Sequence, residues 1–251
     1  MKLEKKNLIV ARSYKEVYKT DEGLVKVFNA EHPKANVFNE ALITARVEAT
    51  GLAVPKILEV KQIDSRWALV LEYKEGKTLE QLMTEHPEKR EEYMDLFVEL
   101  QLGMHEKRSP LLNKLKDKMA RKINTLSELL DATTRYELLT RLESMPKHDK
   151  LCHGDFNPSN IIIGEDGTAT IIDWSHASQG NASADAAMTY ILFYLQDQAL
   201  AELYLKTFCR KSDTAMQYVQ QWLPIAAAYR LTKSTEEKET LMRWIDFFDF
   251  Q

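Results

Sequence analysis

The sequence predicts an α+β protein with two lobes: a small antiparallel sheet carrying one helix, then a larger, mainly helical lobe. Three observations lead there. Before residue 73, short alternating runs rich in β-branched residues surround a single helical stretch. From residue 74 onward, long amphipathic stretches dominate. Between Leu151 and Trp174, a polar loop leads into two short β-branched runs joined by Gly164-Glu165-Asp166-Gly167, the pattern of a hairpin. The expected division is 1–73 and 74–251, with the loop and hairpin of 151–174 in the second part.

Bulk properties narrow the class. A chain of 251 residues holds one large domain or two modest lobes sharing a cleft. Hydrophobic residues at 44% supply a core, and only 8 Gly and 7 Pro argue against disorder. Lys and Arg number 34 against 38 acids, a net charge of −4, so no basic footprint for nucleic acid shows. Cys152 and Cys209 have neither metal nor disulfide spacing, which fits a reduced, cytoplasmic setting. The opening MKLEKKNLIVARSYKE has too short an apolar run for a signal peptide, and no stretch reaches membrane-spanning length.

Taken in order, residues 7–19 read as two strands with a turn at Ser13-Tyr14-Lys15, and Asp21-Glu22-Gly23 turns the chain into a strand over 24–28. Lys26 alternates with Val25 and Val27, so it faces away from them. Residues 35–50 read as a helix stopped by Gly51, with Glu40 early and Glu48 near its end. Two further strands cover 56–62 and 67–72, and Thr78 caps a short helix to Thr84. Helices follow over 87–107, where His105 ends the apolar stripe as a core or helix-end histidine, and over 115–132 and 133–145. After a polar loop at 175–183, Asp185 is expected to cap a helix over 186–195. Helices over 198–209, 214–231 and 236–250 complete the chain, the middle one kinked or split by Pro224.

The chemistry concentrates in LCHGDFNPSNIIIGEDGTATIIDW. The hairpin returns Asp173 to the loop that carries His153, Asp155 and Asn160. Two carboxylates and an amide thus converge at one end of a small sheet. Mg²⁺ takes oxygen ligands of this kind together with substrate phosphates. One group of the set then remains to handle a hydroxyl proton.

The runs HGDFNPSN and IIDW resemble the catalytic and metal loops of the aminoglycoside phosphotransferase and choline kinase family, which is built like the protein kinases. The resemblance implies a protein-kinase-like fold and transfer of the γ-phosphoryl group of ATP, or GTP, to a small-molecule hydroxyl. It makes Asp155 the base, Asn160 and Asp173 the Mg²⁺ ligands, and His153 and Asp185 supports of the catalytic loop. Lys26 matches the strand lysine on the nucleotide phosphates, with Glu40 as its ion-pair partner and Glu48 as the alternative. Leu71, Glu72 and Lys74 match the adenine-reading hinge. Where protein kinases have a Gly-rich loop this sequence has none, which leaves Ser13 as the phosphate contact there. The helices over 115–145 are similar to that family's insertion.

The acidic, aromatic tail WIDFFDFQ resembles the C-terminus of aminoglycoside 3′-kinases. It suggests a cationic acceptor, an aminosugar or amino alcohol, met by Trp222, Tyr229, Trp244, Asp246 and Asp249. A neutral sugar or nucleoside is the alternative acceptor. Rival functions are a nucleotide-binding module without turnover and a kinase for protein hydroxyls; no Ala-Pro-Glu-like segment follows Trp174 to favour the latter.

Overall fold

The computed structural model describes residues 3–233 and 237–246. Its strands and helices run β1 (Leu8–Ala11), β2 (Lys15–Thr20), β3 (Gly23–Phe28), α1 (Lys34–Glu48), β4 (Ile57–Ile63), β5 (Arg66–Leu71), β6 (Lys77–Thr78), α2 (Leu79–Glu85), α3 (Arg90–His105), α4 (Leu115–Asn124) and α5 (Ala132–Ser144). They continue with β7 (Lys150–Cys152), β8 (Ile161–Ile163), β9 (Ala169–Ile171), β10 (Ser178–Gly180), α6 (Ala182–Tyr194), α7 (Gln198–Ser212), α8 (Met216–Gln220), α9 (Leu223–Leu231) and α10 (Lys238–Asp246). The chain forms two compact units, one of Met1–Leu82 with Ser159–His176, the other of Met83–Pro158 with Ala177–Gln251.

The first unit is built on a five-stranded antiparallel sheet in the order β1-β2-β3-β5-β4. Alternation along β3 sorts its side chains. Val25 and Val27 join Tyr18, Ile63, Ala68 and Val70 on one face. Phe28 packs on the other with Leu69, Leu71 and the α1 residues Val37 and Ala41. Lys26 shares the Phe28 face by strand period, and so is turned toward α1. Sequence reading placed the unit's boundary after Tyr73 and the hairpin in the second lobe; the first compact unit runs to Leu82 and includes the hairpin. Pairing explains this grouping, because β6 joins β8 and β9 in a three-stranded sheet. Gly76, at φ +140°, lets the chain pass close to the Ile163 carbonyl, where a side chain would collide.

The second unit is helical, with β7 and β10 as a short antiparallel pair. Phe97, Phe156, Phe193 and Tyr204 meet in its core, the Phe97 and Phe156 rings 4.5 Å apart. A buried polar chain runs through this core: Tyr204 Oη donates to Gln101 Oε1 at 2.7 Å, Gln101 Nε2 to Thr189 Oγ1 at 3.3 Å, and Thr189 Oγ1 to the Phe156 carbonyl at 3.0 Å.

Several elements differ from the sequence expectation. Helix α6 starts at Ala182, not after Asp185, because Asn181 caps it by accepting from the Ser183 amide at 2.8 Å. The supposed polar loop contains β10. The helix expected over 115–132 stops at Asn124, and α5 has its own cap, Asp131, which accepts from the Thr134 amide at 2.8 Å. Pro224 does split its segment, sitting in the first turn of α9, where its missing N–H costs nothing. The last expected helix is described as α10, with Glu237 in the turn before it; residues 236 and 247–250 lie outside the described residues. Among the described residues no helix is long and apolar enough to cross a membrane.

Candidate active site

In the first unit, Lys26 is the centre of a buried ion set. Its Nζ lies 2.7 Å from Glu40 Oε1 and 2.9 Å from Asp173 Oδ1, and only 6% of the residue is exposed. Burial alone lowers a lysine pKa, but the Asp173 and Glu40 charges and hydrogen bonds outweigh it and drive the pKa upward. Lys26 is therefore a fixed cation. Glu40, not Glu48, is the α1 carboxylate that meets it, because Glu40 lies one turn after Val37, beside Ala41, on the sheet-facing side.

Asp173 is held by local structure. The Ile172 amide donates to the Asn160 carbonyl at 2.9 Å, which closes the hairpin and brings Asn160 alongside the residue preceding Asp173. Asp173 itself adopts φ +58°, in the left-handed region that few non-glycine residues enter. The Asp173 carboxylate and the Asn160 amide supply oxygen donors only, a set that fits Mg²⁺ and not a soft metal.

Sequence reading missed Lys15. The sequence pattern places it in a turn, yet it opens β2 opposite Phe28, and Val17 pairs with Lys26. Residues 15 and 17 share a strand face, so the buried Lys15 projects on the side of Lys26 and its Nζ lies 3.5 Å from Asp173 Oδ2. The period-two pattern from Val17 was the available signal. Ser13 is exposed in the bend between β1 and β2, and its carbonyl accepts from Asn29 Nδ2 at 3.2 Å. Leu71 is buried at the end of β5. Glu72 follows it, with its amide on the Lys56 carbonyl and its carboxylate 2.7 Å from Lys74 Nζ. The hydrogen bond from Lys74 lowers the Glu72 pKa.

In the second unit, the loop around Asp155 hangs from one carboxylate. Asp185 Oδ1 accepts from the Gly154 amide at 2.8 Å, and Oδ2 accepts from the His153 amide at 3.2 Å. Oδ2 also lies 3.0 Å from His105 Nε2. Burial pushes the Asp185 pKa up, but the His105 hydrogen bond and charge, with the Gly154 amide, hold it below the ordinary range. Far from capping α6, Asp185 is thus spent on the loop. The fully buried His153 accepts the Asp155 amide on Nδ1 at 3.2 Å, and Asn157 Nδ2 donates to the Asp155 carbonyl at 2.9 Å. Together with the Thr189 bond to Phe156, these contacts fix the backbone on both sides of Asp155 and leave its side chain about 30% exposed.

His105, Cys152 and Asp185 bring one nitrogen, one sulfur and one oxygen within 4.8 Å of one another. They make a poor metal site, because burial pushes the Cys152 thiol well above its ordinary pKa and keeps it protonated, while both Asp185 oxygens serve the loop.

A pocket opens beside Asp155, lined among others by Met188, Leu192, Tyr229, Arg230 and Lys233. Lys233 Nζ lies 3.9 Å from Asp155 Oδ1 and 3.5 Å from the Gly154 carbonyl. Arg230 is bound at two points by Glu237, at 2.8 and 2.9 Å. Of the residues proposed for the acceptor, Tyr229 is the one in this pocket. Trp222 is fully buried at the start of α9, and Trp244 packs edge-on against Tyr190 and Tyr194. Asp246 is exposed at the end of α10, and Asp249 lies outside the described residues.

The sheet with its buried Lys–Glu pair, and the helical unit with its anchored His-Gly-Asp loop, define a class of protein: the phosphotransferases of protein-kinase-like fold. Solved structures agree. The apo form of a thermostable mutant of aminoglycoside phosphotransferase APH(4)-Ia superposes with a TM-score of 0.68 at 16% identity, covering 95% of this chain and 90% of that one. A further variant of the same thermostable protein, in ternary complex with ADP and hygromycin B, gives 0.63 at 17% identity, covering 95% and 89%. Aminoglycoside phosphotransferase APH(3'')-Id from Streptomyces rimosus gives 0.63 at 18% identity, covering 88% and 91%. The phosphotransferase enzyme family pattern matches residues 12–222, and this chain belongs to that family. A search of curated proteins found no match.

Proposed function

We propose that the protein transfers the γ-phosphoryl group of ATP to a hydroxyl of a small molecule. The observation that carries this reading is the buried Lys26, held charged by Glu40 and Asp173 at 2.7 and 2.9 Å. A buried cation needs such partners, and in a phosphotransferase the same ammonium is ready to meet nucleotide phosphates. Lys15 supports the reading from the neighbouring strand. Two lysine side chains take over the charge neutralisation that backbone amides of a Gly-rich loop provide elsewhere, which accounts for a phosphate site without glycines. GTP carries the same triphosphate, so these contacts do not discriminate between the two nucleotides.

Asn160 and Asp173 would hold Mg²⁺, which when bound neutralises phosphate charge as it develops. Asp155 accepts the proton of the acceptor hydroxyl, and its pinned backbone keeps the carboxylate from swinging away. His153 and Asp185 act through that backbone. Asp155 and Asn160 are five positions apart in the chain, with four residues between them. Leu71 and the backbone of Glu72 and Lys74 form the adenine side of the donor site, and Ser13 borders its phosphate end.

The C-terminal sequence and the aminoglycoside phosphotransferases of like fold, one of them complexed with hygromycin B, suggest an aminosugar or amino alcohol acceptor, whereas the lysines near Tyr229 favour an anionic one. A module without turnover would have little reason to retain a carboxylate held as Asp155 is. The test is ADP formation from Mg²⁺-ATP across hydroxylated amines, sugars, acids and phosphate esters. Acceptor-dependent ADP that disappears in Asp155→Asn is the expected result. Tight Mg²⁺-ATP binding with no acceptor consumed across the panel would refute the reading.

A further inference from the structure

The wall of the pocket beside Asp155 carries Lys233, and Lys118 lies near the Tyr229 of the same wall. Lys233 Nζ, just past α9, lies 5.5 Å from the Tyr229 ring centroid, and Lys118 Nζ, on α4, lies 6.0 Å from it. The two ammonium groups therefore gather around one buried tyrosine at the acceptor side of the base. Arg230 is spoken for by Glu237. Asp155, which must turn to the acceptor hydroxyl, lies 3.9 Å from Lys233, and Asp185, whose oxygens hold His153 and Gly154, acts on Lys118. We propose that the acceptor of this phosphotransferase carries an anionic group, a phosphate ester or a carboxylate, and that Lys118 and Lys233 bind it across Tyr229 while Asp155 meets its hydroxyl.

Three physical points support this. Lys118 is only partly exposed, and burial together with repulsion from Lys233 and Lys122 pushes its pKa down to about 7. Holding two lysines close enough to repel costs stability, a cost that an anionic ligand removes on binding. A cationic acceptor would add a third positive charge. The apolar walls, Met188 and Leu192, leave the lysines as the polar handle, and in a partly desolvated pocket a charge-assisted hydrogen bond is strong. This inference rests on the kinase reading for the hydroxyl but concerns a different part of the acceptor.

The test uses the full chain saturated with Mg²⁺ and AMP-PNP, so that the donor phosphate positions are filled. Calorimetric titrations with sn-glycerol 3-phosphate, D-glycerate, glycerol and glucosamine then compare anionic, neutral and cationic probes. At least one anion is expected to bind about tenfold or more tightly than glycerol and glucosamine, and which anion wins separates phosphate from carboxylate. Lys118→Met and Lys233→Met should each weaken that anion by about tenfold, the loss of one charge-assisted hydrogen bond, with AMP-PNP affinity kept. Neither anion binding, glucosamine binding most tightly, or both variants binding the anion like the wild type would overturn the proposal. Loss of AMP-PNP affinity in place of anion affinity would also overturn it, by moving the lysines to the donor phosphate. Anion binding that needs both lysines, but without ADP formation from Mg²⁺-ATP, would sink the kinase reading and leave this one standing.

Discussion

Replacing Lys118 by Met should stabilise the protein, and the gain should depend on pH. Met keeps the length and the apolar stem and removes the ammonium. The lysine pKa falls from 10.5 to about 7 on folding. Below pH 7 the residue is charged in both folded and unfolded chains, and the folded state bears the full cost of burying the charge. Between pH 7 and 10.5 only the unfolded chain holds the proton, so wild-type stability rises with pH across that window. Above 10.5 the cost is gone. A shift of this size corresponds to about 4.8 kcal/mol at about 1.36 kcal/mol per pH unit. Partial exposure reduces that ceiling, so about 2–4 kcal/mol is expected at pH 6, roughly 5–10 °C in Tm. Urea denaturation of wild type and variant at pH 6, 7, 8 and 9, compared as differences, isolates this one group. A variant less stable at pH 6, or a gain that does not shrink between pH 7 and 9, would refute the reasoning.

Other consequences follow from the same geometry. Asp155→Asn should keep nucleotide affinity and lose about 10²–10⁴ in turnover, read by single-turnover phosphoryl transfer. Asp173→Ala should erase the Mg²⁺-dependent part of nucleotide stabilisation, about 2.7 kcal/mol for wild type at about 100 times the dissociation constant, read by thermal shift with and without Mg²⁺. Lys26→Met leaves Glu40 buried without its cation and should cost about 3–5 kcal/mol in urea, with part of the loss regained in Lys26→Met/Glu40→Gln. Asp185→Asn should lower turnover without weakening nucleotide binding. Because the Asp185 pKa is depressed on folding, its stabilisation is present above about pH 4 and lost as pH falls through the folded value, so the variant's acid denaturation should be flatter.

What was legible in the sequence was what local periodicity encodes. Strand alternation turned Lys26 away from Val25 and Val27, while the choice of Glu40 over Glu48 came from the family resemblance; the hairpin between Ile163 and Ala169 announced itself through its turn residues. Errors came where a local rule competed with tertiary structure. Asp185 near a helix start looked like a cap, but the cap is Asn181, and Asp185 answers to amides 31 and 32 residues away in sequence. His105 is the buried helix-end histidine that the sequence suggests, but its partner Asp185, 80 residues on, has no local signal. Lys15 was lost to a turn that ends one residue earlier. The lysine pair at Tyr229 joins position 118 on α4 with position 233 just past α9, and no spacing rule connects them. The acidic tail points toward amines, and the lysines near Tyr229 toward an anion, a contrast that only the acceptor itself decides.

Two lysines, Lys26 buried and Lys118 half-buried, show how one residue type is set to opposite tasks. Lys26 sits between two carboxylates, so its pKa rises and it is charged at any pH the fold survives. Such a site suits a ligand that is always an anion, and its electrostatics cost no reorganisation when the nucleotide arrives. Lys118 sits among lysines, so its pKa falls to about 7 and its proton is held weakly until negative charge enters the pocket. By linkage, an anion that binds the charged form must raise that pKa, and binding above pH 7 must take up a proton. Proton uptake measured by calorimetry in buffers of different ionisation enthalpy therefore reports on Lys118 directly. With D-glycerate, whose carboxylate does not titrate near pH 8, uptake approaching one proton is expected in wild type and none in Lys118→Met. Glycerate binding at pH 8 with no uptake in wild type would show that Lys118 does not face the ligand, whatever the substitution does to affinity.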